Sequence, residues 1–259
     1  MPLILCVVSR VRERGKTCLI EQLTKRFTGE GFRVATVKHI HGSFETAKKD
    51  TWRHLEAGAA LTVASTSTEV VTIRRSVDPS LGEALESIYV KPDLVFVEGY
   101  KRASNPKVLC ADTLSDVQAA MREISNIIIV SGSIADKSGE RERLKAIFPE
   151  IEVCNLEEIV SAIKERLMEE VFRSLPGLNC GHCGYESCLG LAKAILRGEA
   201  DMKDCEVLAT DISTLKVDDK IIPISRFPQE VIRGVMLGVI SSLKGVGKHP
   251  KKIEIRINS

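Results

Sequence analysis

The sequence predicts an α/β protein of the P-loop NTPase class, with a parallel or mixed sheet that helices cover on both faces. Two observations predict this class. Short apolar runs alternate with segments of helical periodicity through the first 155 residues of the 259-residue chain. The first run, Leu3–Val8, leads into a basic loop and then into Gly15-Lys16-Thr17 at the start of a helical segment. A strand, a loop and a helix that opens with Gly-Lys-Thr are typical of phosphate-binding loops.

The remaining elements of this first region follow in a regular order. Apolar runs bounded by Gly, Pro or polar residues predict strands at 32–37, 61–64, 70–73, 94–97, 127–130 and 151–153. Helical periodicity between several of these runs predicts helices at 115–123 and 141–148. Because such alternation is typical of layered α/β folds, we expect one nucleotide-binding domain over residues 1–155.

The loop after the first strand carries the residue types that bind phosphate. Backbone N–H groups at a helix N-terminus attract anions. Lys16 would reach the β- and γ-phosphates, and the Thr17 hydroxyl would bind Mg²⁺. The sequence therefore predicts a nucleotide site at the start of the first helix.

This loop also departs from the usual pattern. Arg10 stands where the first Gly is expected, and Glu13 adds a carboxylate. We expect backbone strain at Arg10, with Arg12 and Arg14 offsetting the charge of Glu13 and contacting phosphate. Two alternatives remain, namely a chance Gly-Lys-Thr at a helix start and a P-loop that has lost its nucleotide.

A second signal comes from the strand predicted at 94–97. This apolar strand ends in Glu98. In P-loop proteins an acidic residue at such a position faces the magnesium ion or the attacking water, so Glu98 is a candidate for both roles. The alternative is a buried strand followed by a solvated glutamate. No Asn-Lys-x-Asp motif occurs, and the segment from Ser133 to Lys137 is at most a weak candidate for a base-reading loop, so the residues do not distinguish GTP from ATP.

Four cysteines lie close together after a predicted linker helix. Asn155 predicts an N-cap, and apolar residues recur at helical spacing up to Val171, before Leu-Pro-Gly at 175–177. The spacing C-x2-C-x4-C-x16-C follows, and it predicts a 4Fe-4S cluster, because iron–sulfur clusters are held by four thiolates with several close in sequence. Its ligands would be Cys180, Cys183, Cys188 and Cys205. We expect residues 156–212 to form this linker and module.

Two other interpretations of these cysteines remain. Structural zinc sites more often join one C-x2-C pair to a second close pair, and disulfide frameworks suit small secreted chains. Both fit this spacing less well than a cluster does. The four remaining cysteines are scattered and lie mostly on apolar segments, so we interpret them as buried or incidental thiols: Cys6, Cys18, Cys110 and Cys154.

The last part of the chain, residues 213–259, predicts a small α+β unit of the order β-β-α-β. A hairpin is expected from Leu215 to Ile224 with a polar turn, a helix over 227–243 and a last strand at 253–257, where Ile alternates with charged residues. Such a unit is too small to be stable alone, so we expect it to pack on its neighbours.

Charge and composition exclude some classes of partner. The formal net charge is +2, which gives no electrostatic reason to expect nucleic acid. The opening segment lacks the charged start of a signal peptide, and no apolar run reaches membrane-spanning length. We therefore expect a cytoplasmic protein that contacts neither nucleic acid nor membrane.

The cysteine segment resembles the 4Fe-4S domain of the B subunit of Rnf-type electron-transport complexes and of corrinoid proteins of acetyl-CoA synthesis. The resemblance covers residues 175–205, with the leading LPG, the CG-x-CGY-x-x-C core and the GEA before the last cysteine. It implies that all four cysteines are ligands. It does not distinguish an electron carrier, a redox sensor and a cluster that only holds the fold.

Residues 3–153 resemble the MobB family, accessory GTP-binding proteins of molybdopterin-guanine dinucleotide biosynthesis. The segments that carry the resemblance are GKT-x-LIEQL, GFRVATVKHIH, KKDTWRHLEAGA and DLVFVEGYKRASNPKV. The resemblance implies a homodimeric P-loop fold with Glu98 at the magnesium side. It also implies nucleotide or switch contacts at Lys16, Thr17, Lys38, His39, Asp50, Arg53 and His54. From their place in the loop we also expect cofactor contacts at Arg14, Gly15 and Cys18, although family members usually have small residues across Val11 to Arg14. Cys18 stands where a second Thr is common, and by itself we interpret it as helix packing.

The resemblance implies a function as well. The protein would bind GTP with Mg²⁺ and support guanine nucleotide attachment to molybdopterin for molybdenum or tungsten enzymes. Its partners would be the cofactor nucleotidyltransferase or molybdopterin transfer proteins. It would be at most a slow GTPase, with Glu98 and Asp50 as candidate catalytic residues. The alternative is an iron–sulfur redox or adaptor protein on a degenerate, nucleotide-free P-loop fold.

Overall fold

A computed structural model describes residues 2–11, 14–40, 42, 50–76, 80–209, 213, 215–218, 220–224, 226–244 and 253–254. The chain divides into two compact units, Met1–Ala162 and Ile163–Ser259. The division falls inside one long helix, and the domain boundaries expected at 155 and 212 stay predictions.

The first unit alternates strands and helices, as the sequence predicts. Its elements are β1 (Leu3–Val8), α1 (Lys16–Gly29), β2 (Val34–Lys38), α2 (Asp50–Glu56), β3 (Leu61–Ser65), β4 (Val70–Arg74), α3 (Leu81–Glu86), β5 (Leu94–Glu98), β6 (Lys107–Cys110), α4 (Leu114–Glu123), β7 (Ile127–Ser131), α5 (Ser138–Ile147), β8 (Glu152–Val153) and the start of α6 (Leu156–Arg173).

Six of these strands form one sheet in the order β2-β5-β1-β6-β7-β8, and every neighbouring pair is parallel. The predicted α/β class is confirmed. The strands predicted at 61–64 and 70–73 form a separate antiparallel pair, β3 with β4. Because parallel strands share a direction, the carboxyl ends of all six lie at one edge, where loops can gather around a ligand.

Helices cover both faces of this sheet. On one face Cys6, Val95 and Leu109 belong to a buried core with residues of α3, α4 and α5. On the other face Phe96 packs against Phe27 of α1, with ring centroids 6.1 Å apart. Successive side chains of a strand point to opposite faces, so continuous apolar strands are what a sheet buried on both sides requires.

Strand β6 was not predicted from the sequence, although it lies at the centre of the sheet. It has four residues and opens with Lys107, a charged residue that is fully buried. The Lys107 ammonium donates to the carbonyls of Ala103 and Asn105, the second at 2.9 Å, and burial lowers the pKa of this amine. A lysine in an apolar run normally indicates an exposed turn, so this strand gives a misleading pattern.

The second unit contains the cysteine module and the C-terminal elements. After the end of α6 come α7 (Cys188–Leu196), a short 3₁₀ helix (Met202–Asp204), α8 (Glu206–Ala209), the antiparallel hairpin of β9 (Leu215–Val217) with β10 (Lys220–Ile222), and α9 (Arg226–Ser241). The predicted hairpin and helix are confirmed. The strand predicted at 253–257 lies mostly outside the described residues. Its two described residues, Ile253 and Glu254, have no regular secondary structure.

Two further predictions concern helix ends and membrane spans. The predicted N-cap of α6 is present, since Asn155 Oδ1 accepts from the Glu158 N–H at 3.0 Å and Glu158 Oε2 accepts from the Asn155 N–H at 2.8 Å. This reciprocal pair is a capping box.

In the described part of the chain, no helix combines the length and the apolar character that crossing a membrane requires.

Candidate functional site

The phosphate loop joins β1 to α1 at the carboxyl edge of the sheet. Gly15, directly before the helix, has a left-handed backbone with φ of +73°, and its carbonyl accepts the first helical hydrogen bond from Leu19 at 2.8 Å. L-residues with a side chain rarely adopt this conformation, so the Gly of the Gly-Lys-Thr motif is required by the turn. The turn places Lys16 and Thr17 in the first turn of α1.

Lys16 folds back over the loop. Its ammonium donates to Ser9 Oγ at 2.9 Å, and the Ser9 hydroxyl donates to the Val11 carbonyl at 2.5 Å. Ser9 is buried. Sequence reasoning missed this serine, although a hydroxyl residue directly after the first strand is a local signal that could have indicated it.

Thr17 and Glu98, both expected at the magnesium side, lie side by side. The Thr17 hydroxyl donates to Glu98 Oε2 at 3.0 Å, and the Lys38 ammonium lies 3.3 Å from the same oxygen. The contact forms because β5 pairs with both β1 and β2, so its last residue meets residues that follow or end those strands. A hydroxyl oxygen and a carboxylate are the hard oxygen ligands that Mg²⁺ prefers.

Arg14 points to a different group from the one that the sequence suggested. Its guanidinium pairs with the Asp112 carboxylate, which follows β6, and lies 3.9 Å from Asp116. Asp112 also accepts a hydrogen bond from the Ser133 hydroxyl at 2.8 Å. The pKa of Asp112 is lowered, first by the Ser133 hydrogen bond and then by Arg14 and Lys137. Sequence reasoning missed Asp112.

In the second unit, the four predicted ligands line one pocket: Cys180, Cys183, Cys188 and Cys205. Apolar residues including Pro176, Leu178, Leu191 and Val207 complete the wall of this pocket. Cys188 and Cys205 are buried, whereas Cys180 and Cys183 are half-buried. The structure therefore brings together four thiols that span 26 residues of sequence.

Local backbone features shape this pocket. Gly181 and Gly184 have φ of +72° and +82°, conformations that favour glycine. Asn179 accepts the Cys188 N–H at 2.9 Å through its side chain. Ser187 caps α7 by accepting the Gly190 N–H at 3.1 Å, which places Cys188 at the first position of that helix. A thiolate at a helix N-terminus is favoured by the helix dipole.

The chain matches two protein-family models. Residues 4–132 match the model described as "MobB: Molybdopterin guanine dinucleotide synthesis protein B". A Methanocaldococcus jannaschii protein named "Putative molybdopterin-guanine dinucleotide biosynthesis adapter protein" is 31% identical over 249 residues, which are 95% of this chain and 94% of that protein. The chain belongs to the MobB family. Its MobB region holds the phosphate loop, Glu98 and Asp112.

The cysteine segment matches a second model, described as "Putative Fe-S cluster", over residues 175–207. The B subunit of an ion-translocating oxidoreductase complex from Rhodobacter capsulatus is 40% identical over 47 residues, 18% of this chain and 25% of that protein. A solved structure titled "Crystal Structure of molybdopterin-guanine biosynthesis protein B (mobB)" is 24% identical, with a TM-score of 0.49, over 64% of this chain and 99% of that one. This MobB-family chain thus carries an iron–sulfur domain after its MobB region.

The expected strain at Arg10 of the MobB loop is absent. Arg10 does not have a positive φ, so this position does not need the backbone that Gly alone adopts easily. Its guanidinium lies 3.4 Å from Glu123, and its carbonyl accepts from Lys101 Nζ at 3.3 Å. The predictions for Arg12 and Glu13 lie outside the described residues.

The residues after β5 of the MobB region form a strained turn. Gly99 has φ of +97° and Tyr100 has φ of +51°. The His39 ring stacks on Tyr100 with centroids 4.6 Å apart, and a Cβ at Gly99 would lie 3.0 Å from His39 Cβ. The structure thus places His39 beside the backbone that follows Glu98, where it packs the turn. Unusual backbone conformations are common near functional sites.

Other predicted site residues of the MobB region lie apart from this cluster. Asp50 begins α2 with a largely exposed side chain, 3.4 Å from Arg53, and no contact to Glu98 is seen in the described part of the chain. His54 is also exposed on α2. Cys18 is exposed, so its interpretation as a residue packed within the helix is wrong.

The three remaining cysteines of the first unit, Cys6, Cys110 and Cys154, are buried. Burial raises the pKa of Cys6 and Cys154 to about 11 and that of Cys110 to about 12, which keeps each thiol protonated. The prediction that they are buried thiols is therefore confirmed. Among the described residues, no group of three or more Cys, His, Asp or Glu side chains is spaced to hold a single metal ion. The four pocket cysteines surround a space instead, and their thiols are the donors that iron–sulfur clusters use.

Proposed function

We propose that the protein is a GTP-binding adapter of molybdopterin-guanine dinucleotide formation. The observation that carries the nucleotide part is the convergence of Lys16, Thr17 and Glu98 at the carboxyl edge of the parallel sheet, with Thr17 3.0 Å from Glu98. A ligand of an open parallel sheet is expected at this edge. The absence of left-handed strain at Arg10 supports a working loop.

Mg²⁺ would be held by the Thr17 hydroxyl oxygen with Glu98 beside it, and it would neutralise charge on the phosphates. The Lys38 ammonium, 3.3 Å from Glu98, offsets part of the negative charge of this carboxylate. Lys16 would leave Ser9 and bind the β- and γ-phosphates. We propose at most slow GTP hydrolysis, with Glu98 as the stronger catalytic candidate and Asp50, exposed on α2, as the weaker.

The iron–sulfur group would be a 4Fe-4S cluster bound by the four pocket cysteines. Their C-x2-C-x4-C-x16-C spacing, the apolar wall of the pocket and the left-handed glycine turns at Gly181 and Gly184 all support this type. The cluster would supply a redox centre or a structural core. The protein's own part is to hold the thiolates and to exclude water from Cys188 and Cys205.

The partners would be a molybdenum cofactor nucleotidyltransferase or molybdopterin transfer proteins, with molybdenum or tungsten as the metal of the enzymes served. The functions in the names of the relatives support this role. We also propose a homodimer, because one face of the β3–β4 pair presents three exposed apolar residues at alternate positions: Leu61, Val63 and Val70.

An anaerobic calorimetric titration of the cluster-loaded protein with GTP and with ATP, in Mg²⁺, tests the nucleotide part. Selective GTP binding supports the proposal. Binding of neither nucleotide, by protein with full iron and sulfide content, would contradict it and leave an adaptor on a nucleotide-free fold.

Electron transfer is a second candidate function. The observation that favours it is the partial exposure of Cys180 and Cys183, which places one side of the pocket near the surface. A reversible redox wave in an anaerobic potential scan supports this role, and a cluster that stays silent over the accessible range counts against it.

A further inference from the structure

Among the residues of the phosphate loop that the structure describes, Arg14 is firmly tied to the rest of the protein. Its guanidinium pairs with Asp112 through a charge-assisted hydrogen bond, and both side chains are about two-thirds shielded, with exposures of 34% and 32%. The other arginine described in the loop, Arg10, lies 3.4 Å from Glu123, with exposures of 45% and 56%. Exposed pairs contribute little to stability, so the Arg14 pair is the stronger link.

Asp112 lies between two loops of the carboxyl edge. In the sheet, β6 is between β1 and β7, so Asp112, two residues after the end of β6, meets the loops that follow both neighbouring strands. One Asp112 oxygen binds Arg14 of the phosphate loop, and the other accepts the Ser133 hydroxyl at 2.8 Å. The Lys137 ammonium reaches the Asp112 carbonyl at 3.3 Å. Asp112 therefore connects the phosphate loop to the loop after β7.

The position of Arg14 gives this connection a consequence for nucleotide binding. Arg14 directly precedes Gly15, whose left-handed turn sets the direction of the first N–H groups of α1 and of Lys16. Holding the Arg14 side chain restricts that turn before any ligand arrives. Groups that are ordered in advance lose less conformational entropy on binding, which raises affinity.

We propose that Asp112 is a positioning residue for the nucleotide. It holds Arg14, and so orients the peptide that enters Gly15 and Lys16, while Ser133 sets the loop where a base would lie. Arg14 then acts as a structural link and does not bind phosphate, contrary to the expectation from the sequence. This inference rests on the proposed nucleotide binding.

The test compares Asp112→Asn, Arg14→Gln and the double variant with a matched control. Asp93→Asn is that control, because Asp93 pairs with Arg33 at 3.0 Å through the same two residue types, at the opposite edge of the same sheet. Each cluster-loaded protein is titrated with GTP and Mg²⁺, and its thermal unfolding is recorded without nucleotide.

We expect each single variant, Asp112→Asn and Arg14→Gln, to weaken GTP binding about ten-fold, and the double variant to be no weaker than the worse single one. Asp93→Asn should leave the affinity unchanged. The non-additivity separates positioning from direct contact, because two residues that each touched the nucleotide would give multiplied losses. Ser133→Ala, which removes one hydroxyl, should weaken GTP binding about three-fold. This variant replaces Asp112→Asn in the test if Asp112→Asn does not fold.

Three results would overturn the inference. The first is an Asp112→Asn variant that binds GTP as tightly as the wild-type protein does. If Asp112→Asn does not fold, the same result in Ser133→Ala has this meaning. Another is a double variant whose loss equals the product of the two single losses. The third is an equal loss of affinity in Asp93→Asn, which would show a general effect of stability. Wild-type protein that binds no nucleotide removes the proposed function itself, and with it this inference.

Discussion

The phosphate loop and the cysteine module differ in what holds their functional side chains in place. Around the loop, the polar and charged side chains that the structure describes already have partners within the protein: Lys16 contacts Ser9, Thr17 contacts Glu98, and Arg14 contacts Asp112. In the module, four thiols face a pocket, and two of them are counted among the five buried residues of its core. The first site is built by the protein, whereas the second needs its cofactor to be complete.

The size of the two cores explains this difference. The sheet of the first unit buries apolar residues on both faces, but the core around the cysteines is small: Leu175, Cys188, Leu191, Ala192 and Cys205. A small core supplies little free energy of folding, and a metal group commonly supplies the rest. Losing the ligand should therefore affect the stability of the cysteine module far more than that of the phosphate loop.

The largest expected effect is on the module. Replacing Cys188, which is 8% exposed and begins α7, with Ala should abolish cluster binding and destabilise residues 163–259 by about 4 kcal/mol or more, because ligand and core contact are lost together. Iron and sulfide assays with circular dichroism on heating check this. Cys18→Ala, which replaces an exposed cysteine of the first unit, is the control. Full iron and sulfide content in Cys188→Ala would show that Cys188 is not required for the cluster.

The next effect concerns the loop. Lys16→Ala should weaken GTP binding by about 3 kcal/mol, roughly a hundred-fold in Kd, because the phosphates would lose the ion pair with the Lys16 ammonium. Unfolding without nucleotide should change little, since the site is held by other protein contacts. Calorimetry measures the affinity, with Lys25→Ala on the exposed side of α1 as the control. Equal affinities in the two variants would show that Lys16 does not bind nucleotide.

An intermediate effect concerns the alkaline stability of the first unit. Burial raises the pKa of Cys6, Cys110 and Cys154 from 9.0 to between about 11 and about 12, so the native state keeps protons that the unfolded state releases. Stability is therefore complete below about pH 9 and is lost as pH rises through the raised values, by about 1 kcal/mol per thiol between pH 9 and 10. Burial lowers the pKa of Lys107 from its ordinary value of 10.5, so the native state releases this proton before the unfolded state does. This group therefore makes stability rise with pH up to about pH 10.5, which opposes the effect of the thiols.

Urea unfolding at about pH 8 and about pH 10 measures this loss. Cys110→Ala should flatten the pH dependence, whereas Cys18→Ala, at the exposed thiol, should not. A wild-type protein whose unfolding free energy stays constant over this range would show that the three thiols ionise as freely in the native state as in the unfolded state.

The smallest effect is at the start of α6. Asn155→Ala removes half of the capping box and should lower the free energy of unfolding of the first unit by about 1 kcal/mol. Ser161→Ala is the control, since that hydroxyl contacts the Glu157 carbonyl within the same helix. If Asn155→Ala lowered only the unfolding temperature that depends on the cluster, the start of α6 would unfold with the cysteine module and not with the first unit.

Local patterns predicted most of the secondary structure and the two candidate sites. The apolar runs indicated β1, β2, β5, β7 and β8, and the capping residues indicated the start of α6. Gly15-Lys16-Thr17 and the cysteine spacing indicated the sites, because each motif lies within a short stretch of chain whose residue types state its chemistry. The pattern failed at β6, a four-residue strand whose first residue is the charged Lys107.

The tertiary structure decided what depends on distant segments. Arg14 meets Asp112 across 98 positions of sequence, and Thr17 meets Glu98 across 81. Sequence order alone cannot place such pairs, because the order of strands in the sheet determines which loops become neighbours. By itself the sequence determined the α/β class, the phosphate loop and the four-thiol module. The parallel sheet decided that Arg14 is held by protein, since β6 lies beside β1 and brings a carboxylate to the loop.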